Sequence, residues 1–380
     1  MMPLGEDFYR RKVAQIQAQL DDENCDGILL LDTYNVMYAS GFIHTESERP
    51  IGFFTPQVGE PALFVPLLEQ ENADATWITD IRTYFEYPGE EYPVNWMVRE
   101  AGVKRLGIDH IAHDVFVTLG SGVITTNLVN RLRWIKDPEE LTVIQQAAQY
   151  ADYCLEQVLT HAGAIIQQGG TELDILRQCL NATSEKMKTE IGEQFRLRKS
   201  AVVGTVHSGL RAALPHGSPI TRRPQIGETL IAGIGASVAG YHAESGATFV
   251  IGEPTGDTMY CLQAAVDCDR AAVEALKVGA TCSSVNTAAL NVLRDAGLGD
   301  AIRHRIGHGM GIQGHEAPWL APGDDTRLVP NMVYSNEPGI YRPQIDGYRT
   351  INTMIVTDGD ALVPSRFLAE HPPEKRIITI

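Results

Sequence analysis

The chain has 380 residues, 44% of them hydrophobic and 21% charged, so it is long enough for two domains with a sizeable core and is far from a disordered composition. A formal net charge of -17 excludes nucleic acid as the main partner, because binding a phosphate backbone needs clustered Lys and Arg. No apolar run could cross a bilayer, and the start MMPLGEDFYRRK has no apolar signal region, so no membrane association and a cytoplasmic location are expected.

Residues 8–22 form an amphipathic helical pattern, residues 27–31 an apolar strand, and FFTPQVGEPALFVP at 53–66 a hairpin with turn residues in its middle. A small α/β domain is expected over residues 1–132 and a second domain over 133–380. Asp137-Pro138-Glu139-Glu140 carries the cap, the first-turn proline and the capping-box glutamate of a helix start. Leu141, Ile144, Ala148, Ala151, Leu155 and Val158 then mark its apolar face. After a Gly-rich break, Thr171 caps a further helix with Leu173, Leu176 and Leu180 as its stripe. From Asp257 the order recurs, with a break at KVGATCSS and a second helix ended by Gly297. Two related halves around one sheet are predicted, the sheet drawing on residues 228–236, 246–252, 332–341 and 351–359. The fold class is α+β. Six cysteines without a CxxC pair are expected to be buried thiols.

Candidate chemistry concentrates in the second domain. His216 lies in the loop LPHGSP, where an imidazole can act as general acid or base. HRIGHGMGIQGHEAPW brings His304, His308, His315 and Glu316 together among glycines that permit close backbone approach. Glu337 follows a strand and precedes Pro-Gly, and Glu244 lies beside another strand. Two carboxylates with several histidines suit acid-base chemistry or a single metal site, whereas a solvated glutamate or an incidental loop histidine is the bland reading of each residue alone.

GHGMGIQGHEAP with the downstream NEPGIY, LRWIKDPEEL at the domain junction and PHG at His216 resemble the pita-bread superfamily of methionine aminopeptidase, aminopeptidase P, prolidase and creatinase. The first domain resembles the amino-terminal domain of creatinase and prolidase. The resemblance implies two metal ions held by two aspartates, a histidine and two glutamates. His308 and Glu337 match that set, and Glu244 stands where the second aspartate is expected. Gly233 in Gly233-Ile234-Gly235 and Ile351 in the run Gly347 to Asn352 replace the first aspartate and the last glutamate. His216 matches the family's proton shuttle and His315 the histidine beside the scissile bond. In creatinase, which keeps this fold but works without metal, the equivalents of His216 and Glu337 transfer the proton and bind substrate. The second substrate-binding glutamate of creatinase falls at Gly246, and its substrate-carboxylate arginine, lent by a partner subunit, matches Arg49 in SERPIGFF.

The expectation from sequence is therefore a metal-independent, creatinase-like hydrolase of a C–N bond in a small carboxylate-bearing substrate, without cofactor. His216 would move the proton, Glu244 and Glu337 would bind a cationic or amide group, and His308 and His315 would face the oxyanion. Arg49 and Arg349 would hold the substrate carboxylate, and a homodimer is expected. Two alternatives stand beside it. One is an Xaa-Pro dipeptidase or aminopeptidase with one divalent ion on Glu244, His308 and Glu337. The other is a non-catalytic protein that binds small molecules in the same cleft.

Overall fold

A capping box opens the helix Pro138–Gln167, with the Glu140 carboxylate accepting from the Asp137 N–H at 2.8 Å. Near it the computed structural model, which describes residues 4–192, 195 and 199–380, divides into two units, Met1–Arg133 and Trp134–Ile380.

In the first unit, six strands run β1 (Gly27–Leu30), β2 (Gly52–Pro56), β3 (Ala62–Pro66), β4 (Asp80–Tyr84), β5 (Leu106–Ile108) and β6 (Val123–Thr125). They form one mixed sheet in the order β4-β3-β2-β1-β5-β6. β2 and β3 are the antiparallel hairpin that FFTPQVGEPALFVP predicts. Leu29, Phe54, Phe64, Met97, Leu106 and Ile108 belong to its core, and burial of such side chains is what holds a small sheet together.

The second unit holds β7 (Ala201–Ser208), β8 (Thr229–Val238), β9 (Tyr241–Ile251), β10 (Gly307–Gly309), β11 (Glu316–Leu320), β12 (Val333–Asn336), β13 (Gly339–Arg342), β14 (Asp346–Arg349), β15 (Ile351–Ile355) and β16 (Ile377–Ile378). Its main sheet runs β11-β10-β12-β15-β9-β8-β7, with β16 beside β9 and a separate β13-β14 pair. The helices Pro138–Gln167 and Glu172–Ile191 pack on the β7-β8-β9 half. Gly256–Ala275 and Cys282–Asp295 pack on each other and serve the other half, with Val285, Ala289 and Leu293 buried among Leu320, Tyr334 and Met354. The repeated helix, break and helix of the sequence thus becomes two half-sheets, each with a helix pair. All six cysteines are free and buried, as expected.

One stripe differs from its prediction. On Glu172–Ile191 the buried face is Ile175, Leu176, Cys179, Thr183 and Met187, while Leu173 and Leu180 are half-buried. Three leucines at helical spacing drew attention from the neighbouring Ile and Cys, which lie closer to the centre of the face.

Candidate active site

Strand register builds the site. β8 and β9 form a two-residue hairpin in which Val238 pairs with Tyr241 across Ala239 and Gly240, both at positive φ (53° and 85°), the geometry a tight hairpin turn needs. That turn sets Gly235 opposite Glu244 and Gly233 opposite Gly246. β15 continues both rows, since Ile351 pairs with Gly246 and the Thr353 hydroxyl accepts from the Glu244 N–H at 2.9 Å. Across β15, Ser335 pairs with Thr353, and His308 pairs with Ser335. Residues in register on neighbouring strands share a face, so Glu244, Thr353, Ser335 and His308 form one row. Glu337, just beyond Asn336, continues the second row of Gly233, Gly246 and Ile351.

Four predicted residues meet there. His308 Nε2 is 2.7 Å from Glu337 Oε1 and 3.8 Å from Glu244 Oε2, and the His315 ring stacks on His308 with centroids 3.8 Å apart. His315 Nε2 lies 4.0 Å from Glu244 Oε1. His308 is buried, the two glutamates are mostly covered, and His315 remains open to solvent.

Electrostatics separates the two carboxyls. Burial and the neighbouring Glu337 charge push Glu244 upward. For Glu337 the hydrogen bond and charge of His308 overcome burial and hold it well below the usual carboxylate range. Burial opposes charging His308, but Glu337 and Glu244 together raise it.

These residues fit a divalent cation. Ligand atoms of Glu244, His308 and His315 lie within 4.8 Å of one another, and Glu337 Oε1, 2.7 Å from His308 Nε2, adds a further anionic donor at the same place. His308 Nδ1 is 3.1 Å from the Gly309 carbonyl oxygen, which can only accept, so Nδ1 carries hydrogen and Nε2 is the atom turned toward the carboxylates. At 2.7 Å from a carboxylate oxygen, that Nε2 calls for a proton or a cation.

His216 is exposed in its loop, within electrostatic range of His304 and His315. His304 Nε2 is 2.9 Å from the Tyr341 hydroxyl. Arg349 is buried on β14 and donates from Nη1 to the Pro215 carbonyl at 2.7 Å. Arg49 belongs to the first unit, where Glu86 at 2.7 Å and Glu48 already pair with it. Glu316, from the same histidine-rich run, turns away and pairs with buried Lys136 at 3.0 Å. Sequence reading missed Ser335, whose Oγ donates to Glu244 Oε2 at 2.6 Å and lies 3.4 Å from Glu337 Oε1. Its position two residues before Glu337, on the strand that ends at Asn336, was the available signal.

Residues 142–358 match metallopeptidase family M24, and residues 12–133 match the creatinase/prolidase N-terminal domain. A probable dipeptidase, PepE, of Mycobacterium bovis is 28% identical over 366 residues, with 94% of each chain covered. The crystal structure of dipeptidase PepE from Mycobacterium ulcerans superposes with a TM-score of 0.84 at 26% identity, over 98% of this chain and 99% of that one. An Xaa-Pro dipeptidase from Bacillus anthracis has a TM-score of 0.81 at 24% identity, over 98% and 100%, and at that identity shows the fold alone.

The pita-bread architecture with a creatinase-type first domain therefore holds, as does the expectation of a hydrolase acting on C–N bonds. Two expectations are overturned. The metal-independent, creatinase-like reaction gives way, because the matching family is one of metallopeptidases and relatives such as PepE are named dipeptidases. The absence of a cofactor falls with it. The physical reason is that Gly233 and Ile351 remove two donors from the second row, while Glu337 of that row stays together with Glu244 and His308.

Proposed function

Because the chain belongs to metallopeptidase family M24, we propose that it is a peptidase of dipeptides, Xaa-Pro dipeptides among them, that works with one divalent ion held by Glu244, His308 and Glu337. The observation that carries this reading is the meeting of His308 Nε2 with both carboxylates on one sheet face, at 2.7 and 3.8 Å.

When bound, the ion would polarise the scissile carbonyl and acidify a water molecule, the two services such ions give hydrolases. The chain's own groups do the rest. Ser335 fixes Glu244 by its 2.6 Å hydrogen bond. The solvent-open His315, stacked on His308, is placed to donate to the substrate's carbonyl oxygen. His216, on its exposed loop, would pass a proton to the leaving nitrogen. Arg49 keeps the role of a substrate-carboxylate clamp lent across a homodimer, which its match in SERPIGFF supports, and the composition supports a cytoplasmic setting.

Metal analysis of the purified chain, joined to turnover of Ala-Pro, Gly-Pro and proline-free dipeptides, tests the proposal. One ion per chain and activity that vanishes on chelation and returns with Mn²⁺ are expected. Undiminished turnover without bound metal would overturn it.

A further inference from the structure

The second row of the site is filled. A Cβ added at Gly246 would lie 2.6 Å from Ile351 Cδ1 and 2.6 Å from its Cγ1. A Cβ added at Gly233 would lie 2.6 Å from Arg349 Nη2 and 3.3 Å from Ile351 Cδ1. The two glycines thus leave space that an apolar side chain and a guanidinium take up, and neither offers a lone pair to a metal. A second ion does not fit here.

Arg349 is held firmly in that place. Its backbone N–H donates to Thr248 Oγ1 at 2.8 Å, and that hydroxyl donates back to the Arg349 carbonyl at 3.0 Å. Nη1 is tied to the Pro215 carbonyl, next to His216. The residue is 6% exposed, yet its Nε has no hydrogen-bond partner. Among the described residues no carboxylate pairs directly with the guanidinium, whose charge instead acts through space on Glu244 and Glu337. A buried guanidinium with an unmade bond and no carboxylate partner is costly to keep, and its charge is placed to act on the neighbouring Glu244 and Glu337.

We propose that the Arg349 guanidinium takes the place of a second metal ion, a fixed positive charge that receives the oxyanion formed during peptide hydrolysis and keeps the site at one ion per chain. This rests on the one-ion reading and goes further. A permanent cation beside the ligands repels the divalent ion, so the same group must weaken metal binding while it speeds the reaction.

Calorimetric titration of the metal-free chain with Mn²⁺, together with dipeptide kinetics, separates these effects. Wild type is expected to saturate at one ion even with Mn²⁺ in excess. Arg349→Gln should bind that ion about tenfold more tightly, from loss of a like charge, and turn over about 100-fold more slowly. Arg349→Lys, which keeps the charge, should bind Mn²⁺ as wild type does, and melting curves of both variants report whether they fold. Two ions in wild type, or one ion with unchanged or weaker binding in Arg349→Gln, overturn the inference alone. If Arg349→Gln does not fold, two ions in wild type or an Arg349→Lys affinity unlike wild type decides against it. A wild-type chain that binds no ion overturns both this inference and the one-ion peptidase.

Discussion

The Ser335 hydroxyl donates to Glu244 Oε2 at 2.6 Å and lies on the same strand face as His308. A ligand carboxylate held by a neutral donor keeps one oxygen turned toward the cation without competing for charge. Ser335→Ala should therefore weaken divalent-ion binding about 10–100-fold, the usual cost of losing a group behind a ligand. Titration of the metal-free variant measures it. Affinity equal to wild type would mean that Glu244 is fixed by the sheet alone.

Glu244, His308, His315 and Glu337 were legible in the sequence because each sits in a short Gly- or Pro-bounded motif, where side-chain type already limits the chemistry. Their partners were not. Ser335 and Thr353 are ordinary strand residues until the register of β12, β15 and β9 sets them beside Glu244. Glu316 shows the opposite failure. It shares a motif with three histidines, yet it directly follows His315 and turns to Lys136 instead of the site. The two-halves fold was readable from repeated helix breaks, but the consequence of Gly233 and Ile351 needed three dimensions. The sequence favours a metal-free reaction over a one-ion site, whereas register keeps Glu337, in the row of Gly233 and Ile351, beside Glu244 and His308.

Gly246 and Ile351 interlock, as a Cβ on the glycine would lie 2.6 Å from the isoleucine side chain. Gly246→Ala is expected to destabilise the chain by about 1–3 kcal/mol through overpacking. Shortening the neighbour removes the Cγ1 and Cδ1 contacts but keeps its Cβ at 2.9 Å, so Gly246→Ala with Ile351→Ala should recover part of this and lose less than the sum of the single variants. Urea denaturation of the four proteins gives the coupling, and strict additivity would deny the contact.

His207 is fully buried on β7 against Gly217, the residue after His216, and burial with the Arg349 and Arg211 charges lowers it to about 3. The unfolded chain would take up its proton near pH 6.5 and the folded chain only near 3, so stability is lost as pH falls through that window. The full loss is on the order of 5 kcal/mol at the acid end. His207→Gln should flatten the pH dependence of unfolding between pH 6.5 and 4 relative to wild type. Parallel curves for the two proteins would show that His207 titrates alike folded and unfolded.

Lys136 and Glu316 join the domain-junction motif to the histidine-rich segment by a buried ion pair of 3.0 Å. Lys136→Met removes the buried cation that faces Glu316 and should cost about 3–5 kcal/mol. Replacing both, as Lys136→Met with Glu316→Leu, should recover most of that stability because neither charge is then stranded. The double variant also decides what Glu316 does. If its only task is to anchor the segment that carries His308 and His315, the folded double variant keeps kcat within a few-fold of wild type and binds its metal ion unchanged. A large fall in kcat with metal binding intact would instead restore Glu316 to the reacting groups, where its motif first suggested it belonged.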